Sequence, residues 1–402
     1  SVTVGDIDGD HWPDLYVGQV GANVVLWNRE GRFVAEPEQS EIIGNEWTTG
    51  AALFDADGDL DVDLVVINYV EFSTDKRGGC VYQFGGRDYC GPLSYPASPN
   101  HFFENLGGRR FRKRAFDPPG EPRPSLGITV FDADSDGDQD FYVANDQREN
   151  RLWLNNGQGL FVERGLQSGC AVNAEGRVEG SMGVDAGDFD GDGNLDLFMA
   201  HVDEETNTLF RGLGNGLFRD VSIRSGVGAP SLGLTGFAVR WLDYDFDGVL
   251  DLAVFNGAVK RQESRVTKDR FGAYQQPHML LKGSRGSFSV VRSSGFATPS
   301  VARGVAFGDL DNDGDEDLVM SAVDGPARVF INSMSSPSGR WTALSAEDDI
   351  IQARIEHGSR WFFPRRFGGF LSSHDRRVVL GPIDCRPDSR IEVKTSDGVV
   401  RF

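Results

Sequence analysis

A nine-residue segment with aspartate at its first, third, fifth and ninth positions occurs six times in this chain, and it constrains the fold more than any other feature. The copies are DIDGDHWPD (Asp6, Asp8, Asp10, Asp14), DADGDLDVD (Asp55, Asp57, Asp59, Asp63), DADSDGDQD (Asp132, Asp134, Asp136, Asp140), DFDGDGNLD (Asp188, Asp190, Asp192, Asp196), DYDFDGVLD (Asp243, Asp245, Asp247, Asp251) and DLDNDGDED (Asp309, Asp311, Asp313, Asp317). Two carboxylates about 6 Å apart repel by roughly 3 kcal/mol at an effective dielectric of ~20. Yet each copy sits between apolar runs, as LGITVF and FYVAN flank the third. The copies hold 27 aspartates; setting these aside from the 61 acidic residues leaves 34, which are outnumbered by 40 Lys and Arg. The formal charge of −21 is therefore concentrated in six loops, which argues for bound cations rather than a solvated acidic face. Six divalent ions would bring it to −9.

The repeat extends beyond the aspartates. Each ninth-position Asp opens a short β-rich run, such as LVVINYV, FYVAND or LAVFNG. Further on, most copies carry an apolar pair, a Gly- or Asn-rich turn and a Phe, as in LWNREGRF, FFENLGGRRF and LWLNNGQGLF. Small-residue runs such as GAALF and RGVAFG precede the loops. One repeat thus reads as four short antiparallel strands. Loop-to-loop spacings of 49, 77, 56, 55 and 66 residues match propeller blades, with insertions over roughly 72–98 and 258–277. The predicted fold is all-β: a β-propeller over residues 1–335 and a small β module over 341–402. Apolar residues make up 39% of the chain, enough for a sizeable core. No apolar run approaches the ~18 residues that span a bilayer, so no transmembrane segment is expected. The chain opens inside a repeat, which predicts a precursor that extends further upstream.

Calcium accepts six to eight hard oxygens at about 2.3–2.6 Å and suits a tight turn whose first, third and fifth side chains converge, closed by the ninth. The seventh residue varies (Trp12, Asp61, Asp138, Asn194, Val249, Asp315), so its backbone carbonyl, rather than its side chain, is the expected ligand there. Up to six calcium ions follow, one per loop. Magnesium fits less well, because it keeps its waters. An EF-hand needs Glu at its twelfth position and flanking helices. Here that position is Val17, Val66, Val143, Met199, Val254 and Met320, all apolar.

The loop D-x-D-G-D-G-x-x-D-L in a strand repeat resembles the FG-GAP/VCBS repeat of integrin α-chain propellers. The tail, with QARIE (352–356), GFLSS (369–373), VVLGP (378–382) and VKTSDG (393–398), is similar to the ASPIC/UnbV module of cartilage-acidic-protein-like proteins. Lys394-Thr395 stands where that module carries Trp-Pro. The resemblance implies a seven-bladed propeller, with one blade upstream of Ser1, followed by the small module.

Other chemistry is sparse. Cys80 and Cys90 bracket nine residues within the first insertion and are predicted to form a disulfide. Calcium loops and a disulfide both point to an exported protein. The spacing leaves Cys170 and Cys385 unassigned, and no zinc-type pattern occurs. His11, His101, His201, His278, His357 and His374 are scattered, without a nucleophile elbow or HExxH motif. The basic clusters at 109–114 and 360–366 read as solvated faces, with polyanion binding as the alternative and a protein or glycan contact open at the second, and no nucleic-acid partner is expected. The polar 258–277 insertion is of the kind that carries partner specificity. The leading expectation is a non-enzymatic scaffold for protein or glycan partners. A structural subunit of a surface assembly and a propeller-type polysaccharide-active enzyme are the alternatives.

Overall fold

The computed structural model describes residues 1–35, 41–72, 80–81, 87–115, 121–262, 271–292 and 295–334, together with five strands beyond residue 341. Six antiparallel sheets follow one another along the chain, and each aspartate loop joins the first two strands of its sheet. Blade 1 is Val2–Gly5, Asp14–Val17, Val24–Arg29 and Arg32–Ala35. Blade 2 is Thr48–Phe54, Asp63–Asn68, His101–Asn105 and Phe111–Arg114. Blade 3 is Ser125–Phe131, Asp140–Asn145, Arg151–Leu154 and Val162–Glu163. Blade 4 is Val184–Gly187, Asp196–Met199, Thr208–Gly212 and Phe218–Asp220. Blade 5 is Gly236–Leu242, Asp251–Asn256, Met279–Ser284 and Ser287–Val290. Blade 6 contributes Ala302–Gly308, Asp317–Ala322 and Arg328–Phe330 among the described residues. The chain is thus an all-β propeller of six blades. The expectation of seven is corrected: blades are counted by loop-bearing sheets, and six loops build six sheets.

The first strands of consecutive blades pack side by side from blade 1 to blade 6. Their small residues are required by that approach. A Cβ on Gly127 would meet the Met182 carbonyl oxygen at 2.1 Å, and one on Gly183 would meet the Phe237 carbonyl oxygen at 2.3 Å. The second strands are sandwiched between neighbouring blades. In DLVVIN, DFYVAN and DLAVFN every residue is buried, which explains their continuous apolar runs. Burying one such Val, Leu or Phe stabilises the fold by roughly 1.5–3 kcal/mol. By contrast, the fourth strand of blade 1, RFVA, is exposed throughout. The core accordingly lies in clusters between blades, for example Tyr142, Leu197, Met199 and Phe210 between blades 3 and 4.

Antiparallel topology puts all six aspartate loops on one face. The opposite face carries both insertions. Cys80 and Cys90 form the predicted disulfide, with Cα atoms 5.1 Å apart. Cys170 is a free, buried thiol, and Cys385 lies outside the described residues. The two insertions meet although their blades, 2 and 5, lie three apart in the ring. Asp88 accepts the Arg261 backbone N–H at 2.8 Å and the Tyr274 hydroxyl at 3.0 Å, and the Tyr89 and Tyr274 rings pack edge to face. Beyond the propeller, Thr342–Ser345 pairs with Arg377–Leu380, and Ile391–Thr395 pairs with both Ile350–Ile355 and Gly398–Arg401. GFLSS falls outside the described residues. No described helix is long and apolar enough to cross a membrane.

Candidate metal centres

Each loop is wound by two left-handed residues. The fourth and sixth positions have positive φ in all six copies: Gly9 and His11, Gly58 and Leu60, Ser135 and Gly137, Gly191 and Gly193, Phe246 and Gly248, Asn312 and Gly314. Alternating left-handed and ordinary conformations turn the intervening aspartates toward one side. Glycine does this without strain, which is why D-x-D-G-D-G recurs. At Leu60 and Phe246 a bulky residue holds the same conformation, at a cost of about 1–2 kcal/mol each.

The first-position Asp folds the turn over itself. One of its oxygens accepts the backbone N–H of the sixth residue in every loop, at 2.7 Å for Asp6 and up to 3.2 Å for Asp132 and Asp309. The fifth-position Asp accepts the N–H of the seventh residue, at 2.9–3.3 Å. These are Asx-type turns, and they use only part of each carboxylate.

The ninth-position Asp is a different kind of residue. Asp14, Asp63, Asp140, Asp196, Asp251 and Asp317 are all fully buried. Each uses one oxygen to accept the N–H of the loop's second residue, at 2.8–3.1 Å. The other oxygen accepts an N–H at the end of the third strand, from Asn28, Asn105, Asn155, Gly212, Gly283 or Asn332, at 2.7–2.8 Å. It therefore ties the loop to the blade's third strand, with charge-assisted bonds about twice as strong as neutral ones. Burial pushes Asp14 up to about 6 and Asp63 and Asp251 up to about 7, opposed by these same N–H donors. A bound cation would act in the opposite sense.

The third-position Asp is left incomplete. One oxygen each of Asp8, Asp57, Asp134, Asp190 and Asp245 is buried and accepts no hydrogen bond. Each such residue belongs to a trio of aspartates whose ligand oxygens lie within 4.8 Å of one another. In blades 1 and 3 the trio is the first, third and fifth positions (Asp6, Asp8, Asp10; Asp132, Asp134, Asp136). In blades 2, 4 and 5 it is the first, third and ninth (Asp55, Asp57, Asp63; Asp188, Asp190, Asp196; Asp243, Asp245, Asp251). Asp59, Asp192 and Asp247 stand at the fifth position of those loops, bonded to the seventh N–H. In blade 6, Asp309, Asp313 and Asp317 make the same backbone bonds as their counterparts, and Asp311 stands between them. A buried carboxylate oxygen without a donor costs free energy that a coordinated divalent cation would recover, so the donor set fits such an ion.

The loops also join blades. The second-position carbonyl accepts from the following blade: Ile7 from Asn105 Nδ2 at 3.0 Å, Ala56 from Asn155 Nδ2 at 2.8 Å and Tyr244 from Asn332 Nδ2 at 3.0 Å. Ala133 accepts from the Gly216 N–H at 3.2 Å. Sequence reasoning missed this lock, although its signal was present as an Asn closing the third strand in four copies. Blades 4 and 5 have Gly212 and Gly283 there, where a Cβ would lie 2.4 Å from the Leu195 and 2.1 Å from the Leu250 carbonyl oxygen.

The other candidates resolve into packing. His278 Nδ1 accepts the Asn256 N–H at 3.0 Å, which fixes its proton on Nε2, 2.9 Å from Ser300 Oγ. The ring thus donates to Ser300 and is not placed to deprotonate it. His101 pairs with Glu46 at 3.0 Å, and His201 is buried between Glu179 and Glu205 at 3.5 and 4.0 Å. His11 is exposed at the rim of the first loop, and His357 and His374 lie outside the described residues. In the 109–114 cluster, Arg109 pairs with Asp8, while Arg112 and Arg114 pair with Glu104. The 360–366 cluster lies outside the described residues.

The FG-GAP-like repeat model matches residues 1–66, 132–199 and 188–254. The chain carries FG-GAP-like repeats. All three matches contain an aspartate loop and the buried strand that follows it. No curated protein matches the chain by sequence. Among solved structures, a lectin of Agrocybe aegerita recognising non-reducing terminal N-acetylglucosamine is 15% identical, with 84% of this chain and 82% of that one covered and a TM-score of 0.47. The BP39L lectin of Burkholderia pseudomallei is 11% identical, with 99% and 96% covered and a TM-score of 0.48. BBS1N in complex with ARL6DN is 11% identical, with 100% and 90% covered and a TM-score of 0.45. Likenesses this distant carry no functional weight.

Proposed function

We propose that the six FG-GAP-like loops are calcium sites and that the chain is a non-enzymatic, exported, calcium-stabilised scaffold for a protein or glycan partner. The observation that carries the calcium reading is the buried, donor-less oxygen repeated at Asp8, Asp57, Asp134, Asp190 and Asp245. Five independent loops leave the same atom incomplete inside a carboxylate trio, as a site built around a hard cation would. When bound, the ion supplies positive charge that removes carboxylate repulsion. The protein's own residues do the rest. The ninth-position Asp anchors the loop to the third strand, and the second-position carbonyl passes the constraint to the next blade. The Cys80–Cys90 disulfide supports export. The scaffold reading is supported by clustered carboxylates committed to the loops and by a His278–Ser300 pair that is oriented away from nucleophilic catalysis. The β strands beyond residue 341 are proposed to form an ASPIC/UnbV-like module.

The test is thermal unfolding of the full chain with and without a calcium chelator. An ion held at about 100 times its Kd adds roughly 2.7 kcal/mol per site. The expected result is a melting temperature lower by roughly 10 °C or more in chelator, restored by calcium but not by equimolar magnesium. An unchanged melting temperature would remove the calcium reading.

A further inference from the structure

On the face opposite the aspartate loops, a cavity of about 670 Å³ opens between blades 1 and 2. We propose that it binds a neutral oligosaccharide; this deepens the scaffold reading and rests on it. The frame is preformed. Four segments are laced together by backbone bonds: Thr48 N–H to the Gln19 carbonyl, Tyr69 N–H to that of Trp47, Ser98 N–H to that of Tyr69 and Glu71 N–H to that of Pro96, at 2.8–3.1 Å. The Cys80–Cys90 disulfide closes one side.

Three aromatic rings, Trp47, Phe72 and Tyr95, stand in the wall. Trp47 meets Phe72 edge to face at 5.4 Å, and Phe72 meets Tyr95 at 6.3 Å. Phe72 is 43% and Val20 55% exposed, so large apolar side chains face water around a concavity rather than singly. The polar groups are two carboxylates, Glu71 exposed and Glu46 paired with His101 at 3.0 Å, and the Asn45 amide, with Ser94 and Ser98 beside them. No Lys, Arg or His lines the cavity among the described residues, so the described lining offers an anionic ligand no counter-charge. Flat rings that accept C–H faces, combined with acceptors for hydroxyl donors, match the two sides of a neutral sugar ring. A methylated ammonium would also suit aromatic rings and carboxylates. The volume decides against it, because it lies in the range of multi-ring ligands and far exceeds one ammonium head group.

The experiment is an array of neutral di- to tetrasaccharides probed with the full chain. Titration calorimetry of the strongest saccharide follows, using wild type, Phe72→Ala, Val20→Arg and Glu71→Gln, with melting temperatures as the folding control. The expected result is binding by wild type and about tenfold weaker binding for Phe72→Ala and Val20→Arg. Glu71→Gln, an exposed and conservative change, gives a smaller loss and serves if Phe72→Ala unfolds. Saccharide binding that is equal in all four proteins would overturn the cavity assignment and leave the scaffold reading standing. Binding of no neutral saccharide, or of a trimethyl-lysine peptide in its place, would overturn the saccharide proposal. Failure to retain any partner from native extract is the separate result that would undo the scaffold reading.

Discussion

The loops of blades 2, 3 and 6 differ from those of blades 1, 4 and 5 in one respect. The former carry a fifth aspartate at the seventh position (Asp61, Asp138, Asp315), whereas the latter have Trp12, Asn194 and Val249. The four-aspartate loops instead receive basic side chains. Arg109 donates to Asp8 at 2.8 Å, with Arg29 3.7 Å away. Arg211 pairs with Asp190 and donates to Asp192 at 2.8 Å, while Lys282 bridges Asp245 and Asp247. Asp57, Asp59, Asp134, Asp136, Asp311 and Asp313 pair with no basic side chain among the described residues. In blade 2 the strand position matching Arg211 and Lys282 is even occupied by Glu104. In each basic-paired loop, the Arg or Lys takes the outer oxygen of the third-position Asp, and the inner one stays without a donor. Basic side chains thus hold the third-position carboxylate from behind and lower the local charge, as outer-shell partners would at a metal site. On the calcium reading, a five-aspartate loop would depend on the ion for charge balance, whereas a four-aspartate loop carries part of that balance in its own Arg or Lys side chains.

The largest effect should come from the third loop, where the two acidic roles can be separated. Asp140→Ala removes a buried carboxylate that accepts the Ala133 and Asn155 N–H groups, leaving both orphaned. The expected cost is roughly 3–5 kcal/mol with or without calcium, measured by denaturant unfolding. Asp138→Ala removes a partly exposed side chain crowded by Asp136, so the expected cost without calcium is about zero or a slight gain. Equal losses for the two variants would erase the distinction between the anchoring carboxylate and the peripheral one.

How far this was legible beforehand depends on the residue. Blade order, the loops and the disulfide followed from aspartate spacing, turn residues and cysteine positions, because each is a local pattern. The ninth-position Asp was placed correctly at the start of a strand, but its two N–H partners were not readable. The second partner lies 14 residues away in blade 1 and 42 in blade 2, fixed only when the third strand docks. Likewise Arg109, in blade 2, belongs electrostatically to Asp8 of blade 1, 101 residues earlier, so the cluster at 109–114 read as a basic surface. Six blades are seen where the resemblance implied seven: the six loops were legible and build six sheets, and the seventh blade rested on no residue of this sequence.

A moderate effect should sharpen the comparison from the other side. Arg211→Met keeps the apolar stem and deletes the charge beside Asp190 and Asp192. The expected loss is about 1 kcal/mol in chelator, shrinking in saturating calcium, so the fourth loop becomes more ion-dependent. A loss that is the same in both conditions would show that Arg211 acts through packing alone. The smallest expected effect concerns the winding of the loop. Phe246→Gly relieves a positive φ and should stabilise the fifth loop by about 1 kcal/mol, read as a rise in melting temperature. A fall would mean that the ring's contacts outweigh the strain.

Calcium titration of the chelator-stripped full chain by calorimetry tests the account most directly. A carboxylate near a cation strengthens its binding without touching it, and a nearby Lys or Arg weakens it. The loops of blades 2, 3 and 6 should therefore fill as a tighter class of three, and those of blades 1, 4 and 5 as a weaker class of three. Asp57→Asn, which alters the buried oxygen set of the second loop, should remove one site from the tight class only. Six equivalent sites, a tight class lost through Asp190→Asn instead, or no calcium binding at all would contradict it.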